Sequence, residues 1–224
     1  MSSCCSSFWA ANQCQFSDAV ARRDLKRYRQ HGPDATTRLL RDAILRAGNR
    51  TTVLDVGAGI GALGFELLAA GAQRVTAVEA APAYLAAARE EAGRRSVAHR
   101  LELVQGDFVA VAGDVMQADV VAMDRVVCCY PNYRPLLEAA MGRSRRLLAF
   151  SYPRDRWFVR LAVAMQNLTR ALFRNPFRGF VHSARDIAAL LEQHHFVRIE
   201  RRETLKWAAD LYVRAQEART RPAS

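Results

Sequence analysis

Closely spaced glycines follow the first of four acid-ended strand patterns. Residues 53–64 form an apolar run that ends at Asp55 and then turns through Gly57, Gly59 and Gly61 into an Ala/Leu-rich helical stretch. Glycine lets a backbone turn sharply and approach a ligand where a Cβ would collide. The helix that follows directs its N-terminus at that ligand. The segment therefore predicts a nucleotide-type binding turn.

The acids of the next three strands indicate what this ligand carries. The second predicted strand ends at Glu79, where a carboxylate can accept hydrogen bonds from both hydroxyls of a ribose. The third ends in Gly106-Asp107 followed by Phe108, and the fourth covers residues 118–125 and also ends in an acid. Such acids suit a ligand with a positive centre, a ribose and an adenine amine, which S-adenosylmethionine combines.

Two other interpretations of the glycines stay open on spacing alone. Gly59, Gly61 and Gly64 also satisfy the G-x-G-x-x-G pattern of dinucleotide-binding enzymes, so a nicotinamide enzyme is one alternative. An α/β fold whose glycines only make a tight turn is the other. The acid before the turn favours S-adenosylmethionine, because a carboxylate there would repel a pyrophosphate.

These motifs, taken together, resemble those of class I S-adenosylmethionine-dependent methyltransferases. The likeness covers residues 50–155 and includes the strand that contains Asp119. The resemblance implies that the strand-end acids and the glycine turn bind the methionine, ribose and adenine parts of the cofactor in turn. The residues that it assigns to the cofactor are Asp55, Gly57, Gly59 and Gly61 at the methionine part, Glu79 at the ribose, Asp107 with Phe108 at the adenine, and also Gly106 and Met123.

Strand patterns alternate with helical patterns along the chain. We predict helices over 34–46, 61–70, 82–94, 135–141 and 183–193, and strands over 146–152, 196–200 and 205–215 besides the four above. This order predicts an α/β fold with a Rossmann-like, doubly wound, mainly parallel seven-stranded sheet and an antiparallel C-terminal strand. The predicted organisation is a cysteine-containing arm and cap helix at 1–33, a class I methyltransferase domain at 34–215 with a helical lid insertion at 157–182, and a frayed tail at 216–224.

The segment after the fourth strand contains the candidate acceptor residues, because the resemblance places the methyl group and its acceptor there. A carboxylate acceptor needs no general base, whereas a hydroxyl or amine needs one. The candidate bases, in order, are Asp124, Tyr130 and His182. Arg125 can bind an acidic substrate or pair with the neighbouring aspartate.

The five cysteines lie in two clusters, Cys4, Cys5 and Cys14 near the N-terminus and Cys128 with Cys129 after the fourth strand. Cys128 and Cys129 are predicted to line a wall of the acceptor pocket, or else to pack as small apolar residues. Thiols from both clusters could meet as soft ligands of a metal or metalloid. Neither cluster has zinc-finger spacing, so free thiols are the alternative, and we predict no resident metal.

Two stretches are candidate lids. A basic amphipathic helix over 16–31 is predicted to cap the pocket, with Tyr28 and Arg29 closing over it. A second helix over 157–177 has a broad apolar face with arginines outside it. We expect this helix to pack on the core rather than on a membrane, and to shape the substrate site.

The formal net charge is +11, and only Lys26 and Lys206 are lysines. Such a charge suits an acidic substrate, an anionic lipid or a nucleic acid, although an arginine-rich composition is also what a GC-rich genome gives. The arginines are scattered and no RNA-binding motif is present, so we expect a small-molecule acceptor and no nucleic-acid partner. The sequence has no signal-peptide pattern and no stretch as long as a membrane span, so we expect a cytoplasmic protein. The sequence does not indicate its oligomeric state.

The predicted function is transfer of a methyl group from S-adenosylmethionine to an oxygen or nitrogen atom of a small, acidic or tetrapyrrole-like molecule. The position of the second lid resembles that in magnesium-protoporphyrin methyltransferases. The Cys128–Pro131 segment resembles one in a group of small bacterial methyltransferases, for which family membership indicates no substrate. One alternative is thiol-assisted methylation of a metalloid such as arsenite. The other is a non-catalytic S-adenosylmethionine-binding module.

Overall fold

The computed structural model describes residues 15–48 and 51–215. Within them, a seven-stranded sheet has the order β3-β2-β1-β4-β5-β7-β6. The strands are β1 Thr52–Val56, β2 Arg74–Glu79, β3 Leu101–Gln105, β4 Ala118–Met123, β5 Ser144–Pro153, β6 Phe196–Glu203 and β7 Trp207–Arg214. The helices are α1 Asp18–His31, α2 Ala35–Ala47, α3 Ala62–Ala69, α4 Pro82–Arg94, α5 Phe108–Val111, α6 Arg134–Arg143, α7 Trp157–Leu172 and α8 Ala184–Gln193.

The first five strands pair in parallel, and β7 runs antiparallel between β5 and β6. The inner strands are apolar along their length, as expected for parallel strands that are covered on both faces. In β1, for example, Val53, Leu54 and Val56 are buried. The Rossmann-like sheet and its antiparallel C-terminal strand are confirmed.

The strand order reverses between β1 and β4, which are neighbours in the sheet. In open α/β sheets a crevice forms outside the carboxyl ends of the strands at such a switch point, and ligands bind there. The ends of β1, β2 and β4 are therefore the positions from which side chains reach a common site.

Several predicted boundaries were wrong: β6 runs to Glu203 rather than ending at residue 200, β7 covers Trp207–Arg214 rather than 205–215, and three others lie close to the cavity. The third strand ends at Gln105, because Asp107 is the N-cap of α5 and its carboxylate accepts the Val109 N–H at 3.2 Å. The fourth strand ends at Met123 rather than at residue 125. The second lid helix ends at Leu172 rather than at residue 177, and Pro176, which has no N–H to donate, lies in the irregular segment that follows.

The outer surface of α7 corrects a further prediction. We expected this helix to pack its apolar face on the core, yet Val159 is its one buried residue among those that the structure describes. Most of its large apolar side chains are exposed to solvent. The core expectation failed because the sequence pattern gives the width of an apolar face and not the presence of a partner for it.

Candidate active site

The turn after β1 requires glycine at its first position. Gly57 has a φ of +62°, and a Cβ there would lie 2.5 Å from Cγ2 of Val126. The N–H of Gly57 donates to the carbonyl of Val78 at 2.8 Å, which fixes the turn to the end of β2. At Gly59, with a φ of +56°, a Cβ would meet nothing within 4 Å. The turn is thus held on one side and leaves open space on the other, where a ligand can approach the backbone.

Asp55 lies at the carboxyl end of β1 and is 1% exposed. Its Oδ2 accepts the N–H of Gly64 on α3 at 3.2 Å. Burial, and then the nearby charge of Asp124, raise the pKa of Asp55 to about 8, against the smaller opposing effect of the Gly64 N–H. A buried carboxyl that is protonated near neutral pH is expected to ionise when a cation binds beside it.

Glu79 ends β2 and lies against the glycine turn. Its Oε2 accepts the N–H of Gly59 and its Oε1 accepts the N–H of Ala81, both at 2.8 Å. Burial raises the pKa of Glu79, and these backbone donors oppose that rise. The two N–H groups fix the carboxylate in one orientation, in which its remaining lone pairs can accept from a ligand.

Asp107 is connected to the segment after β4. The hydroxyl of Tyr130 donates to Oδ1 of Asp107 at 2.5 Å. Burial, followed by the charge of Asp107, raises the pKa of Tyr130. A phenol that keeps its proton and donates it to a carboxylate is poorly suited to act as a general base, so the geometry disfavours that predicted role.

Asp124 follows β4 directly and is held by two hydroxyl groups. Thr37 of α2 donates to its Oδ2 at 2.6 Å, and Ser151 of β5 donates to its Oδ1 at 2.6 Å. Arg125 has a φ of +62° and its N–H donates to the Ser151 hydroxyl at 2.8 Å. The guanidinium of Arg125 pairs with Asp34 at 2.9 Å, and so it is already partly neutralised.

These groups surround a cavity of about 520 Å³. Cavities that bind small molecules commonly span about 300–1,000 Å³. The side chain of Asp55, the turn at Gly57 and Gly59, and Glu79 line the cavity at the ends of β1 and β2. Other predicted site residues that line it are Tyr28, Gly106, Phe108, Asp124, Arg125, Cys128, Cys129 and Tyr130.

Five predicted site residues are not among those that line the cavity. Gly61 is the N-cap of α3, and Asp107 accepts a hydrogen bond from Tyr130, which does line the cavity. Met123 is 0% exposed and packs in the core. Arg29 and His182 also lie elsewhere.

Arg29 connects α1 to α4 instead of closing over the cavity. Its guanidinium pairs with Glu90 at 2.7 Å and with Glu91 at 2.8 Å. Tyr28, on the neighbouring position, is buried, and its hydroxyl donates to Glu66 at 2.9 Å. One helical step of about 100° separates the two side chains, so Tyr28 faces the body of the protein and Arg29 faces α4.

His182 packs behind the cavity wall. Its Nε2 lies 2.9 Å from the carbonyl oxygen of Tyr130, and its ring contacts that of Tyr133 at 4.8 Å between centroids. Burial lowers the pKa of His182, which favours the neutral ring. This geometry fits a side chain that supports the segment after β4, and we leave His182 out of the proposed catalytic residues.

Cys128 and Cys129 are free thiols that lie side by side on the cavity wall. Both donate to the carbonyl of Arg125, at 3.3 and 3.5 Å. A hydrogen bond with Cys128, together with burial, raises the pKa of Cys129, so the thiol form is favoured over the thiolate that binds soft metals. The predicted meeting with Cys4, Cys5 and Cys14 lies outside the described residues, and within those residues no three His, Cys, Asp or Glu side chains are grouped so that they could hold a metal ion.

Arg170 is a site residue that the sequence did not single out. It lies on the inner face of α7 and lines the cavity, with its guanidinium 5.1 Å from the centroid of the Phe177 ring. It donates to Oδ1 of Asn167 at 3.2 Å, and within the described chain no carboxylate pairs with it. Burial lowers the pKa of Arg170, although arginine keeps its charge at neutral pH. The signal available in the sequence was the regular spacing of arginines along the predicted lid helix, which did not indicate which of them faces the cavity.

Acidic side chains line the cavity at one end, where Asp55, Glu79 and Asp124 lie at the ends of β1, β2 and β4. Arg170 and apolar side chains of α7 line its wall as well. Buried carboxylates beside a glycine turn fit a nucleoside that also carries a positive charge, and they fit a pyrophosphate poorly. The sheet and this site have the arrangement expected of the class I fold of S-adenosylmethionine-dependent methyltransferases.

Comparison with known proteins agrees with this class. Residues 53–149 match the family described as "Methyltransferase domain". The chain is 34% identical over 97 residues to a ribosomal protein L11 methyltransferase of Geobacter metallireducens, which is 41% of this chain and 32% of that protein. It is 33% identical over 113 residues to the L11 methyltransferase of Psychrobacter sp., 49% of this chain and 35% of that protein. The chain thus spans about a third of the length of these relatives.

Solved structures share the whole fold at lower identity. The magnesium protoporphyrin IX methyltransferase of Synechocystis PCC 6803 with bound S-adenosylmethionine superposes with a TM-score of 0.70 at 15% identity, covering 96% of this chain and 100% of that one. An O-methyltransferase family protein of Burkholderia thailandensis gives 0.69 at 17% identity, covering 88% of this chain and 59% of that one. The predicted methyltransferase domain is confirmed over residues 53–149, and the fold likeness to magnesium-protoporphyrin methyltransferases is confirmed.

Proposed function

We propose that this chain transfers the methyl group of S-adenosylmethionine to an oxygen or nitrogen atom of a small acidic molecule with an apolar body. The observation that carries the acceptor part is Arg170, a guanidinium on the cavity wall without a carboxylate partner in the described residues. An anionic group of the acceptor would supply the missing partner, because guanidinium and carboxylate groups match as bidentate donors and acceptors.

The acidic end of the cavity is the proposed cofactor site. Asp55 and the turn at Gly57 and Gly59 would hold the methionine part, Glu79 the ribose, and Phe108 with Gly106 the adenine. Bound S-adenosylmethionine supplies a methyl group on a cationic sulfonium. The fit rests on the open space beside Gly59 and on buried carboxylates that suit a cation.

The residues of the chain contribute mainly by orientation and by exclusion of water. Well-oriented reactants can gain about 7–11 kcal/mol from proximity. The segment after β4 and the inner face of α7 would place the acceptor, and the N–H of Phe180 donates to the Cys128 carbonyl at 2.8 Å, which fastens the end of the lid to the cavity wall. A carboxylate acceptor needs no base; for a hydroxyl or amine, Asp124 is the predicted base that remains.

The acceptor is proposed to be small because the cavity must also hold the cofactor. A volume of about 520 Å³ leaves little space for a tetrapyrrole beside it, so an acceptor of that size would require α7 to move outwards. We retain the proposed division into one domain at 34–215 with a lid at 157–182. We propose the cytoplasm as its compartment, because Cys128 and Cys129 are free thiols.

The test is methyl transfer from labelled S-adenosylmethionine to a panel of aromatic carboxylic acids, each paired with its neutral amide and with phenol and amine analogues. For an accepted acid that has a separate methyl-accepting group, Arg170→Met should lower kcat/KM at least about tenfold, the loss of one charge-assisted hydrogen bond. The KM for S-adenosylmethionine should stay unchanged.

Arg174→Met is the matched control, because Arg174 follows one turn later, is exposed and does not line the cavity. Equal effects of Arg170→Met on an acid and on its neutral amide would contradict the acceptor proposal. Absence of turnover with every acceptor, despite tight cofactor binding, would favour the non-catalytic binding module.

A further inference from the structure

Helix α7 has a second face that the proposed reaction does not use. Its inner side lines the cavity through residues such as Val159, Val163 and Arg170. On the opposite side, spacings of four, four, three and four residues place large apolar side chains along one stripe. We call this the outer apolar stripe; it consists of Trp157, Leu161, Met165, Leu168 and Leu172, continued by Phe173 after the helix.

The outer apolar stripe is exposed to solvent over its whole length. Its six side chains are between 55% and 81% exposed. Eleven large apolar side chains are exposed among the described residues, and these six make up more than half of them. Scattered exposed apolar side chains are ordinary, whereas a contiguous patch marks an interaction surface.

The charge around the stripe indicates what covers it. Residues 156–185 contain six arginines and no aspartate or glutamate. Arg156 and Arg160 flank the start of the stripe, and Arg174 and Arg178 follow its end. Arg160 pairs with Asp155 at 2.6 Å, just before the helix. The partner must therefore accept an apolar helix face and carry negative charge at the periphery.

We propose that the outer apolar stripe docks on the surface of an anionic lipid bilayer, with α7 lying in the plane of the headgroups. Apolar side chains enter the boundary between headgroups and acyl chains, and arginines pair with lipid phosphates. A second copy of this chain fits the positive charge around the stripe less well than an anionic bilayer does, because the same arginines of both copies would come together. In the described part of the chain no helix is long and apolar enough to cross a membrane, so the contact is with the surface.

Docking would connect the membrane to the active site, because one helix forms both surfaces. The bilayer would hold the outer side of α7 while the inner side covers the acceptor end of the cavity. An amphiphilic acceptor would then be concentrated at the surface next to the lid. The docking itself does not depend on the identity of the acceptor or on turnover.

The test is flotation of the full chain with phosphatidylcholine vesicles, with and without phosphatidylglycerol. We expect binding to the anionic vesicles that added salt weakens, and little binding to the neutral ones. Leu161→Gln/Leu168→Gln should lower partitioning at least about tenfold, because both side chains leave the acyl boundary. Met116→Gln is the matched control, an 80% exposed methionine that lies before the amino end of β4, whereas α7 follows the carboxyl end of β5.

Tryptophan fluorescence gives an independent readout. Anionic vesicles should shift the emission of the wild type to shorter wavelength, and Trp157→Phe should remove this shift without a change in thermal stability, since Trp157 is 77% exposed. Equal flotation of the double variant and the wild type would overturn the proposal. So would a dimer in solution that the double variant loses, which would assign the stripe to a second copy.

Discussion

Asp55 should release a proton when S-adenosylmethionine binds. The carboxyl is buried at the end of β1, and burial, followed by the charge of Asp124, raises its pKa to about 8. The sulfonium and ammonium groups of the cofactor would bring positive charge to this end of the cavity. An opposite charge favours the ionised carboxylate, so the pKa of Asp55 should fall on binding.

The expected size of the release follows from that pKa. A group with a pKa of about 8 is about nine-tenths protonated at pH 7, so complete ionisation releases about 0.9 proton per site. Asp124→Asn removes a charge that raises the pKa of Asp55, and it should lower the release. In the ligand-free protein, the folded pKa lies above the value of about 3.9 for an unfolded aspartic acid. The stability from this group is therefore complete below about pH 4 and is lost as the pH rises through about 8.

The assay is isothermal titration calorimetry at pH 7 in buffers of different ionisation enthalpy, since the dependence of heat on that enthalpy gives the number of protons released. Asp55→Asn should bind S-adenosylmethionine more weakly and release about 0.9 proton fewer than the wild type. Protons from the cofactor's own amino group cancel in this difference. Equal release by the wild type and Asp55→Asn would refute the proposed contact between Asp55 and the cationic end of the cofactor.

Further predictions concern the neighbouring residues. Glu79→Gln should raise the Kd for S-adenosylmethionine about 10- to 100-fold in calorimetry through one lost charge-assisted hydrogen bond, whereas Glu102→Gln, an exposed acid on the next strand, should leave it unchanged. Gly57→Ala should lower the melting temperature and abolish binding, because its Cβ would clash with Val126; Val126→Ala in the same chain should recover part of the stability, and full stability of the single variant would contradict the geometry. Tyr130→Phe should raise the cofactor Kd about three- to tenfold with kcat nearly unchanged, since its hydroxyl donates to Asp107, and a kcat loss of about 100-fold would instead restore it as a general base. Glu91→Gln should destabilise the fold by about 2 kcal/mol in urea unfolding at pH 7, because its hydrogen bonds to partly exposed arginines are weakened. Hydrogen bonds from Arg94, Arg95 and Arg29 lower the pKa of Glu91 to about 2, so its stabilisation is present above about pH 4.5 and is lost as the pH falls through 2; a variant with the wild-type acid unfolding curve would count against this.

The sequence predicted the sheet and the acidic end of the site because both depend on local patterns. Apolar runs that end in Asp55 and Glu79 identify strands and also place those carboxyls at one edge of a parallel sheet. The turn at Gly57 was predictable from residue type, since only glycine tolerates the close approach to Val126.

The acceptor end was predicted less well because it depends on tertiary contacts. Thr37 and Ser151 hold Asp124 from α2 and β5, far away in the chain, and neither belongs to a motif. Arg29 was expected at the pocket, yet one helical step directs it to Glu91, whereas Arg170 on a distant helix reaches the cavity wall. Which of many arginines faces a site is decided by helix rotation, which an arginine-rich sequence does not specify.

Calorimetric titration of the full chain with S-adenosylmethionine, and separately with NAD, tests the central claim most directly. The account predicts micromolar binding of S-adenosylmethionine with one site per chain and no heat from NAD. Binding of NAD without binding of S-adenosylmethionine would contradict it, because the buried carboxyl groups of Asp55 and Glu79 suit a cation and not a pyrophosphate.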